Sequence, residues 1–201
     1  MSKIRCSLVI PCGIVVALAL GDDVRADNPM DEGSWWDWGH MAGADAPVYA
    51  CAEMGDVVVL GGAFTTMGPA RSPGIAAWNR AAGTWQEYGA GFGAAWGAAV
   101  RALAVHDGRL YAGGYFSHSG SVPLQNVAVW QDDQWQPVGG LAEVRHLASY
   151  AGDLYAIALV NGNVLLRWTG EAWQQLAAFD GNVNRVLVCD DLLVLAGDFA
   201  T

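Results

Sequence analysis

From Val48 onward the chain alternates apolar and polar positions in short runs, and four of these runs align. They are VYACAEMGDVVVLGGAF (48–64), VRALAVHDGRLYAGGYF (100–116), VRHLASYAGDLYAIALV (144–160) and NRVLVCDDLLVLAGDF (184–199). Each consists of an alternating stretch, a turn bearing Gly or Asp, and a second apolar stretch, which is the pattern of a β-hairpin. After each of the first three come a polar loop, a short strand ending in Trp, a tight turn and a strand opening on Trp. The pairs are Trp78 with Trp85, Trp130 with Trp135, and Trp168 with Trp173. A four-residue turn such as 131–134 predicts that its flanking tryptophans face each other across a hairpin. There a cross-strand aromatic pair adds about 0.2–1 kcal/mol over an alanine pair.

The repeating unit is therefore four antiparallel strands, spaced 52 residues from Trp78 to Trp130 and 38 from Trp130 to Trp168. That period and content predict an all-β chain built as a β-propeller of four-stranded blades, at about 48–89, 100–139, 144–177 and 183–201. The last unit stops after its second strand, so about three and a half blades are expected, with an open edge at the end. This is fewer than a closed ring needs, and predicts a piece of a longer protein or a partner that supplies the remainder. Residues 27–47, with Trp35, Trp36 and Trp38, read as an outer strand able to close such a ring. Gly61-Gly62 and Gly113-Gly114 interrupt second strands, where glycine marks a bulge or a close backbone approach. The third repeat has Ile157-Ala158 in their place, and its next loop shrinks to Asn161-Gly162-Asn163.

Composition changes this picture at the N-terminus. Lys3 and Arg5 precede an uncharged apolar run, Cys6 to Leu20, and Val24-Arg25-Ala26 offers small residues at a cleavage site. The run is short for a bilayer span of about 20 residues, so residues 1–26 read as a secretion signal, an uncleaved anchor being the alternative. Beyond position 26 stand seven arginines, no lysine and 18 acidic residues, within a whole-chain net charge of −10. A surface so acidic repels phosphate backbones and anionic lipid, which disfavours nucleic-acid and membrane partners. The expected location is secreted, periplasmic or cell-surface. Only Cys51 and Cys189 follow the signal. Both lie in apolar runs, which predicts buried thiols, with a disulfide between them left open.

The glycine pair followed by an aromatic and then Trp-x6-Trp, as in Gly61-Gly62 and Trp78 to Trp85, resembles the kelch repeat, with Trp where kelch usually has Tyr. The tighter Trp130-x4-Trp135 and Trp168-x4-Trp173 forms are similar to repeats of exported bacterial and fungal cell-surface propellers. The likeness covers residues 48–201 and implies a fold more specifically than a function.

Three types of catalytic propeller set residue requirements. The copper set of galactose-oxidase-like kelch enzymes needs Tyr and His ligands, but His40, His106, His118 and His146 have no ligand-like spacing. The turn before Trp85 lacks the Asp of sialidase repeats, no quinone-cofactor constellation stands out, and Asp132-Asp133 and Asp190-Asp191 read as turn formers and not calcium loops. No cofactor or metal is expected. Ligand candidates come from loops: Arg71 in 65–74, Trp96 in 89–99 and His118 in 117–125. An exposed Trp96 would stack on a sugar ring and Arg71 would grip a carboxylate. The alternative is that Trp96 packs beneath its loop and Arg71 is merely solvated. The function expected is that of an exported, non-enzymatic module binding a protein or glycan. The alternative is a kelch-type carbohydrate-active enzyme whose catalytic residues lie outside this segment.

Overall fold

The computed structural model of the chain describes residues 5–10, 14–18 and 43–199. Every regular element among them is a β-strand. Two N-terminal strands, β1 (Arg5–Ile10) and β2 (Ile14–Leu18), form a hairpin. The first sheet has the order β3 (Val48–Met54), β4 (Val57–Gly62), β5 (Ile75–Asn79), β6 (Thr84–Glu87). The second is built from β7 (Ala99–His106), β8 (Arg109–Tyr115), β11 (Val127–Gln131) and β12 (Gln134–Pro137). A small ribbon of β9 (His118–Ser119) and β10 (Val122–Pro123) interrupts it. The third is β13 (Val144–Tyr150), β14 (Asp153–Leu159), β15 (Asn163–Trp168) and β16 (Trp173–Phe179). These three sheets are antiparallel throughout, with consecutive strands as neighbours.

Local chemistry makes the hairpins tight. Asp107-Gly108, Asp132-Asp133 and Ala151-Gly152 have positive φ at both central residues, 48° and 70°, 52° and 58°, and 51° and 82°. Two-residue turns of this hand match the twist of the flanking strands, and short polar Asp tolerates the conformation better than a branched residue.

The core lies between sheets. Val59, Ile75 and Ala77 of the first sheet meet Val100, Leu110, Ala128 and Trp135 of the second. Val127 and Tyr111 of the second meet Val144 and Leu147 of the third. Tyr155, Ile157 and Leu165 of the third meet Val183, Leu193 and Leu195 of the last hairpin, β17 (Val183–Cys189) and β18 (Leu192–Gly197). A four-stranded sheet has two faces to cover, and each one covers a face of the next. The first strands β3, β7, β13 and β17 stand side by side in that order.

Two of the three tryptophan pairs sit at these junctions. Trp78 and Trp85, Trp130 and Trp135, and Trp168 and Trp173 are directly opposite one another, with ring centroids 5.0, 5.3 and 5.2 Å apart. Each of the two later pairs also reaches back to the preceding sheet. The indole Nε1 of Trp135 donates to the Tyr88 carbonyl (3.3 Å) and that of Trp173 to the Val138 carbonyl (2.8 Å). The glycine after each of those carbonyls, Gly89 or Gly139, lies under the pair. A Cβ on Gly89 would fall 2.7 Å from Trp130 Cζ3, and one on Gly139 3.1 Å from Trp173 Cδ1. The pair is thus a cross-strand contact and a latch between sheets at once.

Two expectations are corrected. Cys51 and Cys189 are free and exposed, not buried. Cys51 shares the exposed face of β3 with Glu53, and Cys189 ends β17 beside the Asp190-Asp191 turn, where its neighbours Leu187 and Val188 are exposed as well. The edge of β18, expected to be open, carries β2 in parallel pairing, Leu193 opposite Ile14 and Ala196 opposite Ala17. The fourth sheet is therefore mixed, in the order β1-β2-β18-β17. The segment read as an outer strand with Trp35, Trp36 and Trp38 lies outside the described residues.

Candidate functional site

In every sheet the pairing of the first strand with the second slips by one residue just past an opening valine. The slips fall between Val48 and Ala50, Val100 and Ala102, Val144 and His146, and Val183 and Arg185. The residues left out of register are Tyr49, Arg101, Arg145 and Asn184. A β-bulge bends its strand and re-aims the side chain of the extra residue. Because the four first strands are neighbours, the four re-aimed side chains line one hollow of about 260 Å³, with His146 and Arg185 beside them. Tyr49 and Arg101 also line an adjoining hollow of about 520 Å³, whose other walls include Trp96, Tyr115 and Glu143.

The glycine pairs make this arrangement possible. A Cβ on Gly62, Gly114 or Gly197 would run into the carbonyl of Pro47, Ala99 or Asn182, the residue just before each opening valine. The second glycine therefore lets the backbone cross closely at the bulge. The first glycine serves the next sheet: a Cβ on Gly61 would lie 2.6 Å from Val100 Cγ1, and one on Gly113 2.5 Å from Val144 Cγ1. In the third sheet these places are taken by Ala158 and Ile157, and Ile157 is buried against the last hairpin.

Charge at the site opposes that of the whole chain. Arg101, Arg145 and Arg185 are three of the seven arginines that follow the N-terminal segment, gathered in a protein of net charge −10. The Arg101 guanidinium lies 5.4 Å from the centre of the Tyr49 ring, and its Nε is 2.7 Å from Glu143 Oε1. That pair is close but poorly directed, so Oε1 lacks an aligned donor. Arg145 Nε is buried with no hydrogen-bond partner. His146 donates from Nε2 to the Val183 carbonyl at 3.2 Å. Burial, then the positive charges of Arg185 and Arg145, hold its pKa below the usual 6.5 against the opposing pull of that hydrogen bond.

Of the sequence candidates, Trp96 belongs here. Its indole is 89% exposed, so it is not packed beneath its loop. Arg71 is exposed and His118 leans over Gly93, its Nδ1 3.0 Å from Ser117 Oγ; neither lines the two hollows. Tyr49, Arg101, Arg145, Asn184 and Arg185 were missed. The signal was present in the aligned repeats, where the residue after the valine is Tyr, Arg, Arg and Asn in turn. Among the described residues no group of three or more His, Cys, Asp or Glu side chains is placed to hold a metal ion. Among them, too, no helix is long and apolar enough to cross a membrane.

The chain is thus an all-β protein of successive four-stranded sheets whose bulged first strands share one basic, aromatic-rimmed hollow. No protein-family model matches it, and a search of curated proteins finds no match.

Proposed function

We propose that the chain is an exported, non-enzymatic β-propeller module, kelch-like in its repeats, that binds a protein or glycan ligand. One observation carries the binding reading: the bulges of four separate strands deliver Tyr49, Arg101, Arg145 and Asn184 to a single hollow. Structural need alone does not choose those residue types, since small or apolar side chains would tolerate the bulge without placing guanidinium groups together. The side-by-side packing of the first strands supports a propeller, in which loops and strand ends around an axis present a ligand site on a rigid body. The basic residues and apolar run at the N-terminus support export; cleavage of that segment would remove β1 and β2 and leave the edge of β18 open.

The test is retention of ligands by the immobilised full-length chain on arrays of glycans and of extracellular proteins, with each retained ligand weighed by mass spectrometry. Saturable, reversible retention of a ligand of unchanged mass is expected. A product of altered mass would replace the module with an enzyme, and retention of nothing would end the binding reading.

A further inference from the structure

We propose that the two adjoining hollows form one site for a carboxylate-bearing glycan, with the arginines of the bulged strands gripping a uronate and Trp96 stacking on a neighbouring sugar ring. The proposal deepens the binding-module reading and rests on it.

Two kinds of group meet at this place. The 260 Å³ hollow holds Arg101, Arg145 and Arg185, and the 520 Å³ hollow holds Trp96 and Tyr115, with Tyr49 and Arg101 common to both. A guanidinium is a planar fork of donors matched to a carboxylate, and it accepts that partner with two parallel hydrogen bonds. Arg145 lines the hollow, and its buried Nε has no acceptor within the protein, a state that costs free energy. Arg101 is already paired with Glu143 and steadied over Tyr49, which suits a ligand carrying one carboxylate per sugar ring more than one densely charged. Trp96 at 89% and Tyr49 at 45% exposure present flat apolar faces with polar edges, the surface that the C–H face of a pyranose covers. The combined space falls within the range of ordinary small-ligand sites.

The surroundings narrow the ligand further. A net charge of −10 on the whole chain disfavours a long polyanion such as a nucleic acid or a heavily sulfated chain. A uronate carries a single charge per ring and leaves the remaining contacts to hydroxyls and stacking. An acidic peptide would satisfy the arginines yet leave the exposed indole without its flat partner.

The experiment is titration calorimetry of the full-length chain with trigalacturonate, with the carboxyl-reduced trisaccharide of the same linkage, with a sulfated disaccharide and with a Glu-rich peptide. Trigalacturonate is expected to bind at least tenfold more tightly than the other three. Arg145→Gln should weaken it by at least tenfold and Trp96→Ala by about fivefold. Trp96 is too exposed for its loss to unfold the protein, so that variant keeps the test informative even if Arg145→Gln proves unstable. Equal binding of the reduced sugar, tighter binding of the peptide, or indifference to both substitutions would overturn the site. If neutral glycans or proteins are retained on the arrays while trigalacturonate is not bound, the uronate site fails and the module reading survives; if nothing is retained at all, both fail.

Discussion

The junction between the second and third sheets and the junction between the third sheet and the last hairpin solve one problem in opposite ways. At the first, Gly113 has no side chain, and Val144 of the next first strand occupies the space that a Cβ would claim. At the second, the equivalent place is Ile157, buried to 1% exposure, and the strands β13 and β17 run less closely together than β7 and β13. The extra bulk is accommodated by spreading the sheets, and His146 spans the opening with a hydrogen bond to the Val183 carbonyl. At the equivalent register the second sheet has only Ala102. Glycine thus sets a short step between sheets, whereas isoleucine sets a longer one bridged by a polar side chain. The step lengths matter for the site, because Arg101, Arg145 and Arg185 sit on the three strands so spaced.

The largest effect tests the latch that the glycine-spaced junctions share. Trp135 is 1% exposed and holds both the Trp130 ring and the Tyr88 carbonyl. Trp135→Ala should cost about 3–5 kcal/mol, read as a fall in the urea midpoint. An exposed-site cost below about 1 kcal/mol would mean that the sheets do not depend on it.

Next in size is the step itself. Gly113→Ala drives a methyl against Val144 Cγ1 and should cost about 1–3 kcal/mol by overpacking. Adding Val144→Ala makes room, so the double variant should lose less than the sum of the single losses. Strict additivity would remove the contact from the account. At the wider junction Ile157→Val should cost only about 0.5–1.5 kcal/mol. Trp173→Phe, which keeps most of the ring but drops the donor to Val138, should cost about 0.5–1.5 kcal/mol in the same melts.

Much of this architecture could be read in the sequence because it is written in periodic signals. Alternation and turn residues such as Asp107-Gly108 mark strands, and Trp130-x4-Trp135 marks a paired hairpin, since period-two burial and turn geometry are local properties. The junctions were harder to read. Alternation assigns each side chain to one of two faces but does not say which neighbour covers that face, so Cys51 and Cys189 looked buried although both are exposed. The site was harder still. A bulge shifts the alternation by one residue, and Tyr49, Arg101 and Arg145 were therefore counted as ordinary members of alternating strands. Loops offered Arg71 and His118 as candidates because loops commonly bear function, whereas most of the hollow is lined from strand ends.

The smallest effect concerns acid at the wider junction. His146 is neutral in the folded protein because burial and the nearby Arg185 and Arg145 oppose its proton, so its folded pKa lies below 6.5. In the unfolded chain it takes up a proton as the pH falls through the usual value near 6.5, and the folded protein does so only at lower pH. Between those two points the unfolded state binds more protons, so stability falls as the pH drops through that window and levels off below it. Above 6.5 both states are neutral and the residue contributes no pH dependence. His146→Gln retains an amide donor for the Val183 carbonyl and lacks the titration. Comparing urea midpoints at pH 7.5 and 5.5, the wild type should lose more stability over that interval than His146→Gln, the carboxylates shared by both proteins cancelling in the comparison. Equal losses would mean that the opening beside Ile157 admits enough water to solvate the imidazolium, and the third sheet would then meet the last hairpin through a wet seam and not a packed one.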